Sequence, residues 1–127
     1  MPLSQEIPIV PITNGNAAVT LGKIVKASSG TCVVTTAATE ATLGVITEDC
    51  AANGVASVAA AGSGAIVLVE VSAGCIAIGD NLAPVAGGQC NKTTTAGNKV
   101  FAVALEASTA AGQLIKAVLS PGYYTLP

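Results

Sequence analysis

Residues 30–36 read GTCVVTT and residues 88–94 read GQCNKTT, so the pattern G-x-C-x-x-T-T occurs twice at an offset of 58 residues. The same offset aligns Glu48 with Glu106. Other pairs at this offset are Leu43 and Phe101, Val45 and Val103, Ala52 and Ala110, and Gly54 and Gly112. Cysteine and glutamate are scarce in this chain, so their alignment indicates an internal duplication.

Short runs rich in valine, isoleucine and threonine alternate with turn signals such as Asn14-Gly15 and Gly87-Gly88. The run AIVLVEV at 65–71 has strand length and predicts a strand covered on both faces, in the connector between the repeats. Residues 51–61 have helical propensity, but Asn53-Gly54 interrupts them and leaves room for at most one helical turn. Many short strands with frequent turns predict an all-β sandwich or barrel.

The predicted organisation has three parts. Residues 1–17 form an extended N-terminal arm, residues 18–119 form the β domain, and residues 120–127 form a tail. Two duplicated β-units, about residues 21–59 and 78–117, build the domain as a small, β-tulip-like barrel or sandwich.

Both ends of the chain are candidate interface segments. Prolines fix φ and lack a donor, so the arm is expected to be extended, either adding to the edge of a partner's sheet or forming an edge strand of its own domain. Removal of residues 1–13 is then expected to leave the fold intact and to weaken attachment to a partner. The tail carries two of the three aromatic residues, which either anchor an interface or pack on the domain. The candidate interface residues are Pro2, Leu3, Ile7, Pro8, Ile9, Val10, Pro11, Ile12, Tyr123 and Tyr124.

The composition argues against several classes of function. The chain contains no histidine and no arginine, so the common general base and the bidentate anion fork are missing. A net charge of −2 and 2% aromatic residues oppose nucleic-acid binding. Apolar residues reach 51%, but they are mainly alanine and valine, which bury little area each. A core this thin favours oligomerisation.

The N-terminus has no signal-peptide pattern, and the charge-free residues 50–69 contain several turn signals, so we expect no membrane span. Without histidine, a zinc site would need Cys32, Cys50, Cys75 and Cys90 together. The cysteines are predicted to be small buried hydrophobes, with one disulfide as the alternative.

The acidic residues show no catalytic pattern. Glu48 and Glu106 are predicted to be strand-end charges or turn acceptors, and no calcium or phosphate-binding loop is present. We therefore expect no catalytic residue, metal, cofactor or small-molecule substrate, and no enzyme. An enzyme of another type would need a carboxylate pair with a raised pKa in a cleft.

Four stretches, from about Ala18 to Leu119, carry a resemblance to a known family. They are GKIV at 22–25, LGVITE at 43–48 before Asn53-Gly54, IGDNL at 78–82, and VALEA at 103–107 before Gly112. In these stretches the sequence resembles the capsid decoration, or cement, proteins of tailed bacteriophages, in particular the small Ala/Gly/Val-rich type.

This resemblance implies a β-rich homotrimer on the outer surface of the virion, made in the cytoplasm of a bacterial host. Its partner would be the major capsid protein, whose neighbouring capsomers it would clamp at threefold or quasi-threefold positions. The alternative is a β-rich phage fibre or adhesin-like module that recognises a surface glycan, with Tyr123 and Tyr124 stacking on the sugar.

Overall fold

Strands form where β-branched residues stand between the turns, because such side chains fit a pleated, half-buried surface. The computed structural model describes residues 9–119 and 124–125. The first five strands are β1 (Ile9–Thr13), β2 (Ile24–Ser28), β3 (Thr31–Val34), β4 (Gly44–Ile46) and β5 (Val55–Ala60). The others are β6 (Ile66–Glu70), β7 (Asn81–Pro84), β8 (Cys90–Lys92), β9 (Lys99–Val100), β10 (Ala102–Ala104), β11 (Leu114–Val118) and β12 (Tyr124–Thr125), with a 3-10 turn at Ala86–Gly88. The predicted all-β class is confirmed.

Two five-stranded antiparallel sheets share one strand order. The first runs β1-β5-β4-β2-β3 and the second β6-β11-β10-β7-β8. Their registers also match, since Lys26 pairs with Val33 in the first sheet and Ala83 with Asn91 in the second. Strand by strand, equivalent positions lie 57 to 59 residues apart. The second half of the chain therefore repeats the backbone pairing of the first half.

Each sheet curls until its first and third sequential strands meet. A parallel bridge joins Asn14 to Cys32 in the first sheet, and another joins Val71 to Cys90 in the second. In both, the N–H of the following residue donates to the cysteine carbonyl, at 2.8 and 2.9 Å. The chain thus forms two partly closed barrels, which we call the first barrel (β1–β5) and the second barrel (β6–β8, β10 and β11).

Two hydrophobic clusters stabilise the barrels, and the first barrel contributes to both. The first cluster consists of Val19, Val25, Cys32, Ile46, Ala56 and Val58. The second cluster surrounds Phe101 and includes Ile24, Val45 and Ala59 from the first barrel. Because successive side chains of a strand point to opposite faces, Ile24 and Val25 belong to different clusters. The inner strands of the first barrel are therefore covered on both faces.

β6 is an edge strand, and it corrects two expectations about residues 65–71. It occupies in the second sheet the place that β1 occupies in the first, so it is not a connector. Ile66 and Leu68 are 48% and 40% exposed, whereas Val67 and Val69 are buried. The apolar run therefore combines one buried face with one exposed apolar face.

Residues 51–61 form a turn followed by β5, which pairs with β1 on one side and β4 on the other. The helix propensity of alanine amounts to less than about 1 kcal/mol per residue, so hydrogen bonding and packing on both sides of the strand override it. Among residues 9–119 and 124–125, no helix has the length and apolar character that crossing a bilayer requires.

The N-terminal segment is partly a strand of the chain's own sheet. β1 pairs with β5 in antiparallel register from Ile9–Ala59 to Thr13–Val55. Over these residues the structure therefore shows the edge-strand alternative. The predicted interface residues that lie outside the described residues are Pro2, Leu3, Ile7, Pro8 and Tyr123.

Candidate interaction surface

β1 carries four of the predicted interface residues. Ile9 and Val10 are 42% and 36% exposed, and Pro11 is exposed beside them. Ile12 is half-buried and packs against the first cluster. Tyr124 lies next to the second barrel, where its backbone pairs with β9. Those predicted end residues that the structure describes, Ile9–Ile12 and Tyr124, thus lie in different sheets.

The free edge of β1 is poorly suited to accept another strand. The N–H of Asn14 donates to the carbonyl of Gly54 at 2.8 Å, so every second residue back from Asn14 faces β5. Ile9, Pro11 and Thr13 therefore direct their backbone groups away from β5. Proline has no N–H to donate, and a proline on a free edge hinders pairing with another chain. Pro11 counts against strand addition here.

The exposed side of β6 and β11 is an apolar surface that the sequence reasoning missed. It presents Ile66, Leu68 and Leu114, which are 39 to 48% exposed, and Leu68 lies directly opposite Lys116. An exposed apolar patch beside a charge is typical of an interaction surface. The signal that could have revealed it is the alternation in LIKAV at 114–118, which matches that of a one-sided strand.

An apolar cleft lies between the two barrels beside β6. Its volume is about 230 Å³. The lining residues are Leu21, Ile46, Thr47, Ile66, Val67 and Leu68. Clefts that bind small molecules usually measure about 300–1,000 Å³. This cleft is smaller than that range.

An ion pair joins the barrels. Lys23 Nζ lies 2.6 Å from Glu70 Oε2, and both side chains are mostly buried. Gln89 Nε2 donates to the same carboxylate oxygen at 2.9 Å. The backbone adds a further link, since the N–H of Glu70 donates to the carbonyl of Gly22 at 2.9 Å. These contacts fix how one barrel sits on the other.

Glu40 is the described carboxyl group with the clearest pKa shift. Partial desolvation alone would raise its pKa, but hydrogen bonds from Lys26, Thr36 and Ala37 hold that pKa at about 2. The Lys26 ammonium and the backbone N–H groups all favour the ionised form. Glu40 therefore stays charged at neutral pH and holds residues 36–40 against β2.

All four cysteines are free thiols. Burial raises the pKa of Cys32, and burial together with the charge of Glu70 raises the pKa of Cys90 to about 12. Because the thiolate is the reactive form, these two buried thiols are inert. Cys50 is half-buried and Cys75 is exposed. Within the part of the chain that the structure describes, no three cysteine or acidic side chains gather as a metal site would require.

Glu48 and Glu106 hold equivalent structural positions. Glu48 accepts a hydrogen bond from Ser57 Oγ at 3.1 Å, and Glu106 accepts one from the N–H of Lys116 at 2.7 Å. Each carboxylate thereby ties the segment after an inner strand to the neighbouring strand. This is the geometry of structural acceptors.

These observations define a small, duplicated β-barrel protein with exposed apolar strand faces and a small apolar cleft between its barrels. No protein-family model matches the chain, and no curated protein matches it. Among solved structures, the chain is similar to the head fiber gp8.5 N base of bacteriophage phi29, with a TM-score of 0.64 and 20% sequence identity. The match covers 92% of this chain and 98% of that chain, so the likeness in fold extends over both barrels.

Proposed function

We propose that this protein is a structural component of a bacteriophage head, and that it binds the outer surface of the shell and stabilises the capsid lattice. The observation that carries the proposal is the likeness in fold, over both barrels, to the base of a phage head fibre. The resemblance of residues 22–25, 43–48, 78–82 and 103–107 to cement proteins supports the same role from the sequence.

The partner in this proposal is the major capsid protein, bound by a homotrimer at threefold or quasi-threefold positions of the virion. The β6–β11 surface, with Ile66, Leu68 and Leu114, offers an apolar contact to such a partner. Three copies acting together would strengthen weak individual contacts through avidity.

We also propose that the protein is not an enzyme. Carboxylates that could act as acid or base are engaged in structural contacts, as Glu40 is with Lys26 and Glu106 is with the backbone of Lys116. The two buried thiols have raised pKa values, which opposes nucleophilic catalysis.

Binding to phage heads is the direct test. Purified protein is added to heads of its phage that were prepared without it, and bound copies are counted after sedimentation. We expect saturable binding and a higher temperature of shell disruption. Heads already saturated with the protein serve as the control, because they should bind no more. Absence of binding to the bare heads would overturn the proposal.

A second candidate, the base of a head fibre, is favoured by the identity of the structural neighbour. A fibre base would bind heads without raising the temperature of shell disruption, whereas a decoration protein would raise it. The glycan-binding alternative predicts binding to a glycan array and no binding to heads. Its candidate residue Tyr123 lies outside the described residues, so the structure adds no support for it.

A further inference from the structure

The two barrels contact each other through a glycine turn of the second barrel. The N–H of Gly88 donates to the carbonyl of Thr35 at 3.2 Å. A Cβ on Gly88 would lie 3.0 Å from the side chain of Val34 and 3.1 Å from the carbonyl of Ile24. Gly88 is buried there, so the turn at residues 86–88 is pressed against β2 and β3.

The equivalent turn of the first barrel, Ser29–Gly30, is not packed against the other barrel. Ser29 and Gly30 have φ values of 48° and 81°, close to the 79° and 72° of Gly87 and Gly88. Gly30 is exposed, and no described atom beyond its chain neighbours lies within 4 Å of a Cβ built on it. Two consecutive residues with positive φ therefore occur at equivalent positions of both hairpins, buried within the chain in one and open in the other, although the loop of the second hairpin is one residue longer.

We call the residues of the first barrel that receive the Gly87–Gly88 turn the seat. The equivalent residues of the second barrel also form a seat, and it is open. Within the chain, the Gly87–Gly88 turn contacts residues 23, 24, 34 and 35, which lie within the segments 22–24 and 34–36. Shifted by 57 or 58 residues, these positions become Gly79, Asp80, Asn81, Lys92, Thr93 and Thr94. Those six residues line a cleft of about 250 Å³. Gly22 is buried against β6, whereas its equivalent Gly79 is exposed, with no described atom within 4 Å of its Cβ position.

A third pair of positions shows the same asymmetry. Phe101 is fully buried in the second barrel, whereas its equivalent Leu43 is only half-buried. Leu43 lines a cleft together with Thr42, whose hydroxyl is buried and has no hydrogen-bond partner among the described residues. A buried hydroxyl without a hydrogen-bond partner is destabilising, so a group that supplies a hydrogen bond there is favoured.

We propose that a second copy of this chain binds head to tail, with the Ser29–Gly30 turn of one copy in the cleft of the next copy that Asp80 and Thr93 line. The contact repeats, between copies, the one that Gly87–Gly88 makes within the chain. It is heterologous, so successive additions form a ring where the rotation between copies closes and an open filament where it does not.

The side chains that would contact the turn differ between the seat of the first barrel and the seat of the second barrel. Within the chain, Lys23 Nζ donates to the carbonyl of Gly87. In the proposed contact Asp80 replaces Lys23 and Ser29 replaces Gly87. A carboxylate cannot donate to the backbone carbonyl of Ser29, so the group of this turn that can bind Asp80 is the serine hydroxyl, as a donor. Lys92 replaces Val34, whose side chain lies against Gly88 within the chain, whereas Asn81 offers the same backbone carbonyl as Ile24. The contact between copies is therefore expected to be more polar than the contact within the chain. The inference concerns contacts between copies and stands whether or not the protein binds phage heads.

Substitutions at Ser29 test this contact. Ser29→Asp sets a carboxylate against Asp80 and is expected to raise the dissociation constant of self-association at least about tenfold. Ser29→Asn is the matched control, because asparagine tolerates positive φ and retains a donor. Asn53→Asp adds the same charge at another exposed position with positive φ, outside the proposed contact. Both controls should self-associate like the unmodified chain, as measured by sedimentation velocity and light scattering over a range of concentrations.

The double variant Ser29→Asp/Asp80→Asn removes the repulsion and should recover most of the lost association. Asparagine at position 80 keeps an oxygen for the N–H of Ala77, which Asp80 accepts at 2.8 Å, so the local turn is retained. Circular dichroism of each variant shows whether the barrels are intact. The proposal is overturned by a monomeric unmodified chain at all concentrations, or by folded Ser29→Asp protein that associates as well as the controls.

Discussion

At Gly44 the first sheet leaves no space for a side chain. A Cβ there would run into the carbonyl oxygen of Ala59 and lie 2.6 Å from the side chain of Val58. The equivalent residue of the second sheet is Ala102, which is buried and carries a methyl group. Single positions therefore differ between the barrels even where the strand order and register are the same.

Gly44→Ala is expected to destabilise the protein, because the obstructing atom belongs to the backbone of β5 and cannot rotate away. Overpacking of this kind costs about 1–3 kcal/mol or more, so the Tm should fall by at least about 5 °C. Ala102→Gly is the control and should cost about 1 kcal/mol. A Tm for Gly44→Ala equal to that of the unmodified protein would contradict the close approach.

Because of Glu40, the free energy of unfolding is expected to fall at low pH. Its folded-state pKa of about 2 lies below the ordinary value of 4.5, so the unfolded chain takes up the proton first. The stabilisation is complete above about pH 5 and is lost as the pH falls through 2. Glu40→Gln removes the charge but keeps an acceptor for the N–H groups of Thr36 and Ala37. We expect the variant to have a lower Tm at pH 7 and nearly the same Tm at pH 2. A difference in Tm that is constant with pH would show that Glu40 is not the titrating group.

At the scale of the element, the alternation of apolar and polar residues predicts where the strands lie. It does not predict which face of each strand is covered. The strands around LGVIT at 43–47 and Gln113–Leu119 were predictable, because β-branched residues stand between turns. The run at 65–71 predicts burial on both faces, but the structure shows this burial at β2 and β4 instead. Which face of a strand is covered depends on where the other barrel packs, and local sequence does not encode that. The same reason explains why the β6–β11 surface was missed.

The role of the N-terminal segment also changes at this scale. Removal of residues 1–13 was expected to leave the fold intact, but it would delete β1, which pairs with β5 over five residues and packs Ile12 on the first cluster. We expect this truncation to lower the Tm markedly relative to the full chain, or to prevent folding. Thermal unfolding followed by circular dichroism compares the two chains. Equal Tm values for them would show that β1 adds nothing to stability.

For the whole molecule, the sequence predicted the class of fold and a repeat, and it could not predict how the halves meet. Nothing in the local pattern at Ile24, Val45 or Ala59 shows that these side chains belong to the cluster of the other barrel. The contact between barrels also depends on Lys23 and Glu70, which lie 47 residues apart in the chain. Long-range packing of this kind is a property of the assembled barrels, which is why the candidate interface was placed at the two ends.

Because the two barrels share one cluster, we expect them to unfold together. Differential scanning calorimetry should show a single transition whose calorimetric and van't Hoff enthalpies agree. Lys23→Met, which removes the ion pair between barrels, should shift that transition to lower temperature without splitting it. Two resolved transitions in the unmodified protein would mean that the barrels are energetically independent.

The shared cluster has a mechanical consequence. Residues 61–64, the short link between the barrels, would act as a hinge if each barrel had a closed core of its own. Here, bending at the link would pull Ile24 and Val45 out of close packing around Phe101. It would also separate Lys23 from Glu70, so the ion pair and the packing resist the same motion. We therefore expect the two barrels to move as one body, so that a load applied to one barrel is transmitted to the other with little bending at the link.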